Sequence, residues 1–226
     1  YERTVALKLI APNAALATGE QLGRRLAAER QILARLEHES IARLYDGGVT
    51  DDGLPYLALE LVAGEPITAY ADRHSLEVAA RVTLFARACA AVAYAHRSLV
   101  VHRDLKPAHI LVVENDSGAE PGVKLLDFGV SALLGEASED GLTRFTAPHA
   151  LTPSYAAPEQ IRGEPMTTAT DVYALGVVLY ELLAGQRPYD LSDKTAAEVE
   201  RLITEAEPPR PSAVGPVRRQ RALRGD

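Results

Sequence analysis

One cysteine, Cys89, stands in a chain of 226 residues, so no disulfide can close within it, and such sparing use suits a reducing, cytoplasmic setting. Excess basic charge is also missing. Against 24 Lys and Arg there are 31 Asp and Glu, a net charge of −7, which excludes a general affinity for nucleic acid or anionic lipid. No uninterrupted apolar run reaches the roughly 18 residues or more that mark a membrane span, and no leader-like pattern opens the sequence. Internal repeats and long low-complexity tracts are absent too. The first residue is Tyr1 and not Met, and strand character begins almost at once, so a fragment of a longer chain is expected. What is present is ordinary for a globular protein: 47% hydrophobic and 24% charged residues, with length enough for one large domain or two small ones.

Alternation of period two across residues 4–10 predicts a strand, with Val5, Leu7 and Leu9 on one face and Ala6, Lys8 and Ile10 on the other. A lysine there is equally explained as protection of an edge strand. Residues 20–37 read as a helix whose apolar stripe, Leu22, Leu26, Leu33 and Leu36, also contains Glu29. A carboxylate in that stripe needs a cation, for which Lys8 is the natural candidate, or a position at the edge that reaches water. A hairpin is expected from 41–49 and 54–60 across Thr50-Asp51-Asp52-Gly53, followed by a connector at Glu60-Leu61-Val62-Ala63-Gly64. Ser75 is placed to cap a long helix to about residue 97, with Val78, Val82, Phe85, Cys89 and Val92 on its buried stripe and Cys89 a core filler.

Further on, Ile110–Val113 and Val123–Leu126 pair as a second hairpin. A Thr-, Ser-, Gly- and Pro-rich loop runs to about residue 158, a length that usually serves function. Residues 170–184 are apolar nearly all round and end at Gly185, the pattern of a buried central helix. Residues 207–216 form a Pro-rich connector, and the arginines at 218, 219, 221 and 224 read as one solvated helix face. Strands gather in the first 60 residues and helices dominate afterwards, which predicts two lobes joined near residues 60–65.

Chemistry concentrates in residues 101–113, where His102, Arg103, Asp104 and Lys106 precede an apolar strand. A carboxylate beside a lysine at a strand end suggests a positioned base with a cation next to it. The run His102-Arg103-Asp104-Leu105-Lys106-Pro107 resembles the catalytic loop of eukaryotic-like (Hanks-type) Ser/Thr protein kinases. Val5-Ala6-Leu7-Lys8, Glu29, Asp127-Phe128-Gly129, Ala157-Pro158-Glu159 and Asp171 stand around it in that family's order. The segment Thr-Pro-Ser-Tyr-Ala-Ala-Pro-Glu-Gln at 152–160 is closest to the bacterial members.

The resemblance covers nearly the whole chain. It implies an α+β, two-lobed protein-kinase-like fold: a small, incomplete β-rich N-lobe over 1–62 and a larger helical C-lobe over 63–226, lacking its last helices. It also implies transfer of the γ-phosphoryl of Mg-ATP to Ser or Thr hydroxyls of proteins. Lys8, paired with Glu29, would hold the α- and β-phosphates, and Asp127 would bind Mg²⁺. Asp104 would take the hydroxyl proton and Lys106 would steady the transferred group. Backbone groups of Glu60 and Val62 would meet adenine behind Leu59 at the gatekeeping position, with Ala6 and Leu111 on its two faces. Phe128, His102 and Leu33 would form an apolar column, and Asp171 would tie the loop to the central helix. Arg103 would receive a phosphate on Thr143 or Thr146. Thr152 would be a structural hydroxyl near Asp104, and self-association for autophosphorylation is implied as well.

Three departures bear on activity. His109 stands where the family has the Asn of a second Mg²⁺ site, and an imidazole suits Mn²⁺ or Zn²⁺ better than Mg²⁺. Only seven residues precede Lys8, with no Gly-rich phosphate loop among them. The sequence stops at Asp226, before the Arg that usually pairs with Glu159. Two readings therefore stand side by side: an enzyme, or a pseudokinase that binds and scaffolds.

Overall fold

Alternating and turn-forming residues set the first sheet of the computed structural model, which describes residues 3–9, 36–114, 120–128 and 153–224. Strands β1 (Val5–Leu9), β2 (Leu44–Val49) and β3 (Pro55–Glu60) lie in the antiparallel order β1-β3-β2. The β2–β3 hairpin closes as expected. Thr50 N–H donates to Leu54 O (2.8 Å), Gly53 N–H to Thr50 O (2.8 Å) and Leu54 N–H to Thr50 Oγ1 (3.0 Å). Gly53 takes φ +80°, a conformation open to glycine without strain. On β1, Val5, Leu7 and Leu9 are exposed while Ala6 and Lys8 turn toward the interior, so the period-two reading selects the correct faces.

The second sheet joins β4 (Glu65–Pro66), β5 (Ile110–Val113) and β6 (Gly122–Leu125) in that order. It is coupled to the first region through the backbone of residues 40–42. Leu125 N–H donates to Ser40 O (2.8 Å) and Ala42 N–H to Leu125 O (2.8 Å), so 41–43 precede the strand that was expected to start at 41.

The described α-helices are α1 (Ile67–Arg73), α2 (Val78–Arg97), α3 (Pro158–Arg162), α4 (Thr168–Ala184), α5 (Ala196–Glu205) and α6 (Val217–Leu223), with short 3-10 turns at Pro107–His109, Pro153–Tyr155 and Pro211–Ala213. The central helix α4 is capped by Thr167, whose Oγ1 accepts from Ala169 N–H (3.2 Å), and it ends at Gly185 with φ +75° as the sequence suggests. Helix α2 packs against α4 and β6. At 20 residues it is long and apolar enough to cross a membrane, yet Arg81, Ala88, Ala91 and Ala95 lie in the folded core.

Three expectations need correction. Ser75 does not cap α2: it has φ +50°, and its N–H closes the end of α1 on Asp72 O (3.0 Å), so α2 starts two residues later than a Ser75 cap implies, after Glu77. The buried face of α2 is Arg81, Leu84, Ala88, Ala91, Val92 and Ala95, with Val82 exposed. Small residues let the helix approach α4 closely, so the bulky side chains do not mark the contact face. Arg219 of α6 is not on a solvated face either. It reaches inward to Asp72 Oδ1 (3.0 Å) and the Leu182 carbonyl (3.4 Å).

The fully buried side chains include Leu57, Ile67, Leu105, Ile110, Leu125 and Leu182. Each contributes about 1.5–3 kcal/mol by leaving water. Arg81 is 2% exposed among them, and each of its guanidinium nitrogens has an acceptor. Its guanidinium donates to the carbonyls of Leu76 (2.8 Å), Leu182 (2.9 Å) and Ala71 (2.8 Å) and to Asp72 Oδ1 (2.7 Å), tying α1, α2 and α4 together.

Candidate active site

The loop between α2 and β5 is held from beneath by one buried carboxylate. Asp171, in the first turn of α4, accepts from His102 N–H (2.8 Å), Arg103 N–H (2.8 Å) and His96 Nε2 (2.7 Å). Arg103 takes φ +71°, strained for a side chain with a Cβ. Its backbone is gripped on the other side by Gln160, whose Nε2 donates to Arg103 O (2.8 Å). His96 and Gln160 were missed in the sequence. The available signals were the place of His96 four residues after buried Val92, and a glutamine directly following Ala-Pro-Glu.

His102 is fully buried, and its two nitrogens are both committed. Nδ1 faces Asp104 N–H (3.3 Å), so Nε2 carries the proton and donates to Leu126 O (2.8 Å). Burial holds its imidazole below the usual histidine range, outweighing the pull of Asp171. Its ring lies 4.6 Å from that of Phe128, the described part of the expected column. Leu33 lies outside the described residues. Leu36, Leu44, Leu57 and Leu59 line a recess beside Asp127 and Phe128.

Above this support, the expected polar residues gather. Lys106 Nζ donates to Asp104 Oδ2 (2.8 Å). Lys8 Nζ, from β1, reaches Asp127 Oδ2 (2.9 Å). Between the two carboxylates stands His109: Nδ1 is 2.7 Å from Asp104 O, and Nε2 is 3.5 Å from Asp127 Oδ2. The spacing is set by backbone, since Leu126 N–H donates to His109 O (2.9 Å) and His109 N–H to Lys106 O (2.9 Å). Burial pushes the Asp127 carboxyl up, but the hydrogen bond and charge of Lys8 outweigh it and leave the group below its ordinary value. Burial likewise holds His109 below the usual histidine range, against the opposing field of Asp104.

Glu60, at the end of β3, receives Lys124 Nζ on both oxygens (2.7 and 2.8 Å) and Arg43 N–H at 3.1 Å. Burial raises its pKa, but these donors together hold it lower than the ordinary value. The Glu60 N–H is committed to Arg43 O (2.8 Å). Ala6 pairs in register with Leu59, Leu111 is buried on β5, and Val62 is half-buried in the connector. Glu159 meets Thr170 Oγ1 at 2.5 Å. Glu29, Gly129, Thr143, Thr146 and Thr152 lie outside the described residues.

The donor set fits one hard divalent cation, because the Asp127 carboxylate offers two oxygens beside the cleft. Position 109 does not fit a second Mg²⁺. It presents a ring nitrogen in place of oxygen, and its other nitrogen is tied to Asp104.

A pattern for the protein kinase domain matches residues 1–215. The chain is 39% identical over 212 residues to the serine/threonine-protein kinase PkaA of Streptomyces coelicolor, covering 93% of this chain and 37% of that protein. It is 34% identical over 217 residues to PknB of Mycolicibacterium smegmatis (92% and 32%). It is 33% identical over 210 residues to PrkC of Bacillus subtilis (90% and 30%). The chain spans about a third of the length of these curated relatives. With the two-lobed arrangement of small antiparallel sheets and larger helical region, these matches establish that the chain belongs to the protein kinase family.

Proposed function

We propose that this chain is the catalytic core of a bacterial Ser/Thr protein kinase, with its lobes meeting at residues 62–63, working in the cytoplasm on protein substrates. The observation that supports it best is the convergence of Lys8, Asp127, His109, Asp104 and Lys106, with Lys8 on Asp127 at 2.9 Å, Lys106 on Asp104 at 2.8 Å, and His109 between the two carboxylates. A structural ion pair would need none of this convergence from β1, the segment after β6 and the 102–109 loop.

In the proposed reaction the Ser or Thr hydroxyl oxygen forms the new bond to the γ-phosphorus of ATP as the bond to the β–γ bridging oxygen breaks. Asp104 accepts the hydroxyl proton, and ADP leaves with the electron pair. Lys106 opposes the charge on the transferred group. Lys8, whose Nζ lies 2.9 Å from Asp127 Oδ2, would turn to the α- and β-phosphates, with Glu29 as its partner. Mg²⁺ on Asp127 would neutralise phosphate charge. Ala6 and Leu111 would sandwich adenine, and backbone groups of Glu60 and Val62 would meet its edge.

Arg103 fits a regulatory phosphate on Thr143 or Thr146, delivered within a transient pair of chains. Its Nε is buried without a hydrogen-bond partner among the described residues. Autophosphorylation with Mg-ATP or Mn-ATP, followed by intact-mass spectrometry, tests the reading. Phosphate is expected on wild type and absent from Asp104→Ala. A silent wild type that gains activity as His109→Asn would place the defect at position 109. If wild type, Asp104→Ala and His109→Asn are all silent and nucleotide leaves Tm unmoved, the chain is a binding module and the kinase reading is wrong.

A further inference from the structure

His109 presents a defined lone pair. The Asp104 carbonyl oxygen, 2.7 Å from Nδ1, can only accept, so Nδ1 must donate and carry the ring proton. In the neutral ring Nε2 then carries the lone pair, 3.5 Å from Asp127 Oδ2, the oxygen that Lys8 Nζ holds at 2.9 Å and would release on turning to the phosphates. Two ligand atoms at that separation span one cation when each bond is about 2.1 Å. A histidine whose far nitrogen is pinned to a carbonyl is also the usual arrangement behind a metal-ligating imidazole, because the pin fixes ring orientation and tautomer. His102 cannot compete for the ion, since both of its nitrogens are taken.

We infer that His109 Nε2 and Asp127 form a nitrogen–oxygen pair selecting a nitrogen-accepting divalent transition ion, Mn²⁺ or Zn²⁺, over Mg²⁺. The inference rests on the nucleotide-binding reading above. Among the described residues no three His, Cys, Asp or Glu side chains gather to hold an ion by themselves. Two protein ligands leave the remaining positions to phosphate oxygens and water, so the ion is retained only together with nucleotide. Imidazole ligation favours a transition ion, whereas Mg²⁺ demands oxygen and sheds water reluctantly.

The test uses the 226-residue chain with Mn²⁺ and the β,γ-methylene analogue of ATP, which has no nitrogen among its phosphates. Pulsed EPR of the ternary complex should show imidazole ¹⁴N coupled to Mn²⁺ in wild type. In His109→Asn the ion and nucleotide should stay bound while that coupling disappears. The Mg²⁺ concentration that displaces half the Mn²⁺ should fall about tenfold or more in the variant, the scale on which ligand chemistry moves metal affinity. Bound Mn²⁺ in wild type without ¹⁴N coupling, or equal Mg²⁺ competition in both proteins, overturns the inference and leaves the nucleotide reading intact. Failure of wild type to retain the nucleotide overturns both.

Discussion

Removing the Asp171 carboxylate strips three donors of their acceptor at once. In Asp171→Ala the amides of His102 and Arg103 and the Nε2 of His96 lose bonds of 2.8, 2.8 and 2.7 Å, in a place where the aspartate side chain is only 1% exposed. A hydrogen bond to a charged group contributes about 1.5–3 kcal/mol, and a buried donor left unpaired costs about 1–3 kcal/mol. These overlap, and the strain released at Arg103 returns about 1–3 kcal/mol. A net loss of about 3–5 kcal/mol is therefore expected, which for a domain of this size lowers Tm by roughly 6–20 °C. Asp171→Asn keeps one oxygen acceptor and should lose about half as much. Thermal and denaturant unfolding give the loss, while amide hydrogen exchange at His102 and Arg103 locates it. A double-mutant cycle with His96→Phe should show coupling beyond the roughly 0.5 kcal/mol expected of independent sites. A loss below about 1 kcal/mol for Asp171→Ala, with both amides still protected, would refute the account of this carboxylate as the anchor of the loop.

Arg81→Leu should cost about 3–5 kcal/mol, because it removes the four hydrogen bonds by which a buried guanidinium joins the carbonyls of Leu76, Ala71 and Leu182 to Asp72; urea unfolding measures it. Gly215→Ala should cost about 2–4 kcal/mol in the same assay, since φ is +82° and an added Cβ would lie 2.0 Å from the Ala184 carbonyl oxygen. His102 has its folded pKa depressed by burial, so its stabilising effect is complete above the ordinary value of 6.5 and is lost as pH falls below it and the unfolded chain takes up the proton. His102→Phe should accordingly flatten the acid side of a Tm–pH profile. Lys8→Met removes the donor that opposes burial at Asp127, so that carboxyl should titrate at higher pH, as followed by ¹³C-carboxyl NMR.

The strands and the support of the loop were legible because they rest on short-range signals. Alternation in Val5–Leu9 marks its faces, Thr50–Gly53 spells its turn, and Asp171 follows from its family position in an otherwise apolar helix. The face of α2 was not legible. A buried, hydrogen-bonded arginine and a row of alanines carry the contact with α4, and neither is weighted by a reading that follows bulk. Arg219 was misread for a related reason: a basic tail looks solvated until a carboxylate such as Asp72, 147 residues earlier, is brought beside it. The same holds at the cleft. Motif order assembled Asp104, Lys106, Lys8 and Asp127, but the Lys8–Asp127 contact and the orientation of the His109 ring depend on where separate segments meet. Residue types alone do not encode that meeting.

The spacing of the two cleft aspartates is written in main chain. Residue 109 contributes its N–H to Lys106 and its carbonyl to Leu126, and any non-proline residue supplies both. The side chain at 109 can therefore be exchanged over evolution without disturbing the frame that carries Asp104 and Asp127. A lineage could alter the metal chemistry of such a cleft, or abandon it, in a single codon change. Relatives that differ at this position would then be indistinguishable by shape while differing in what they catalyse.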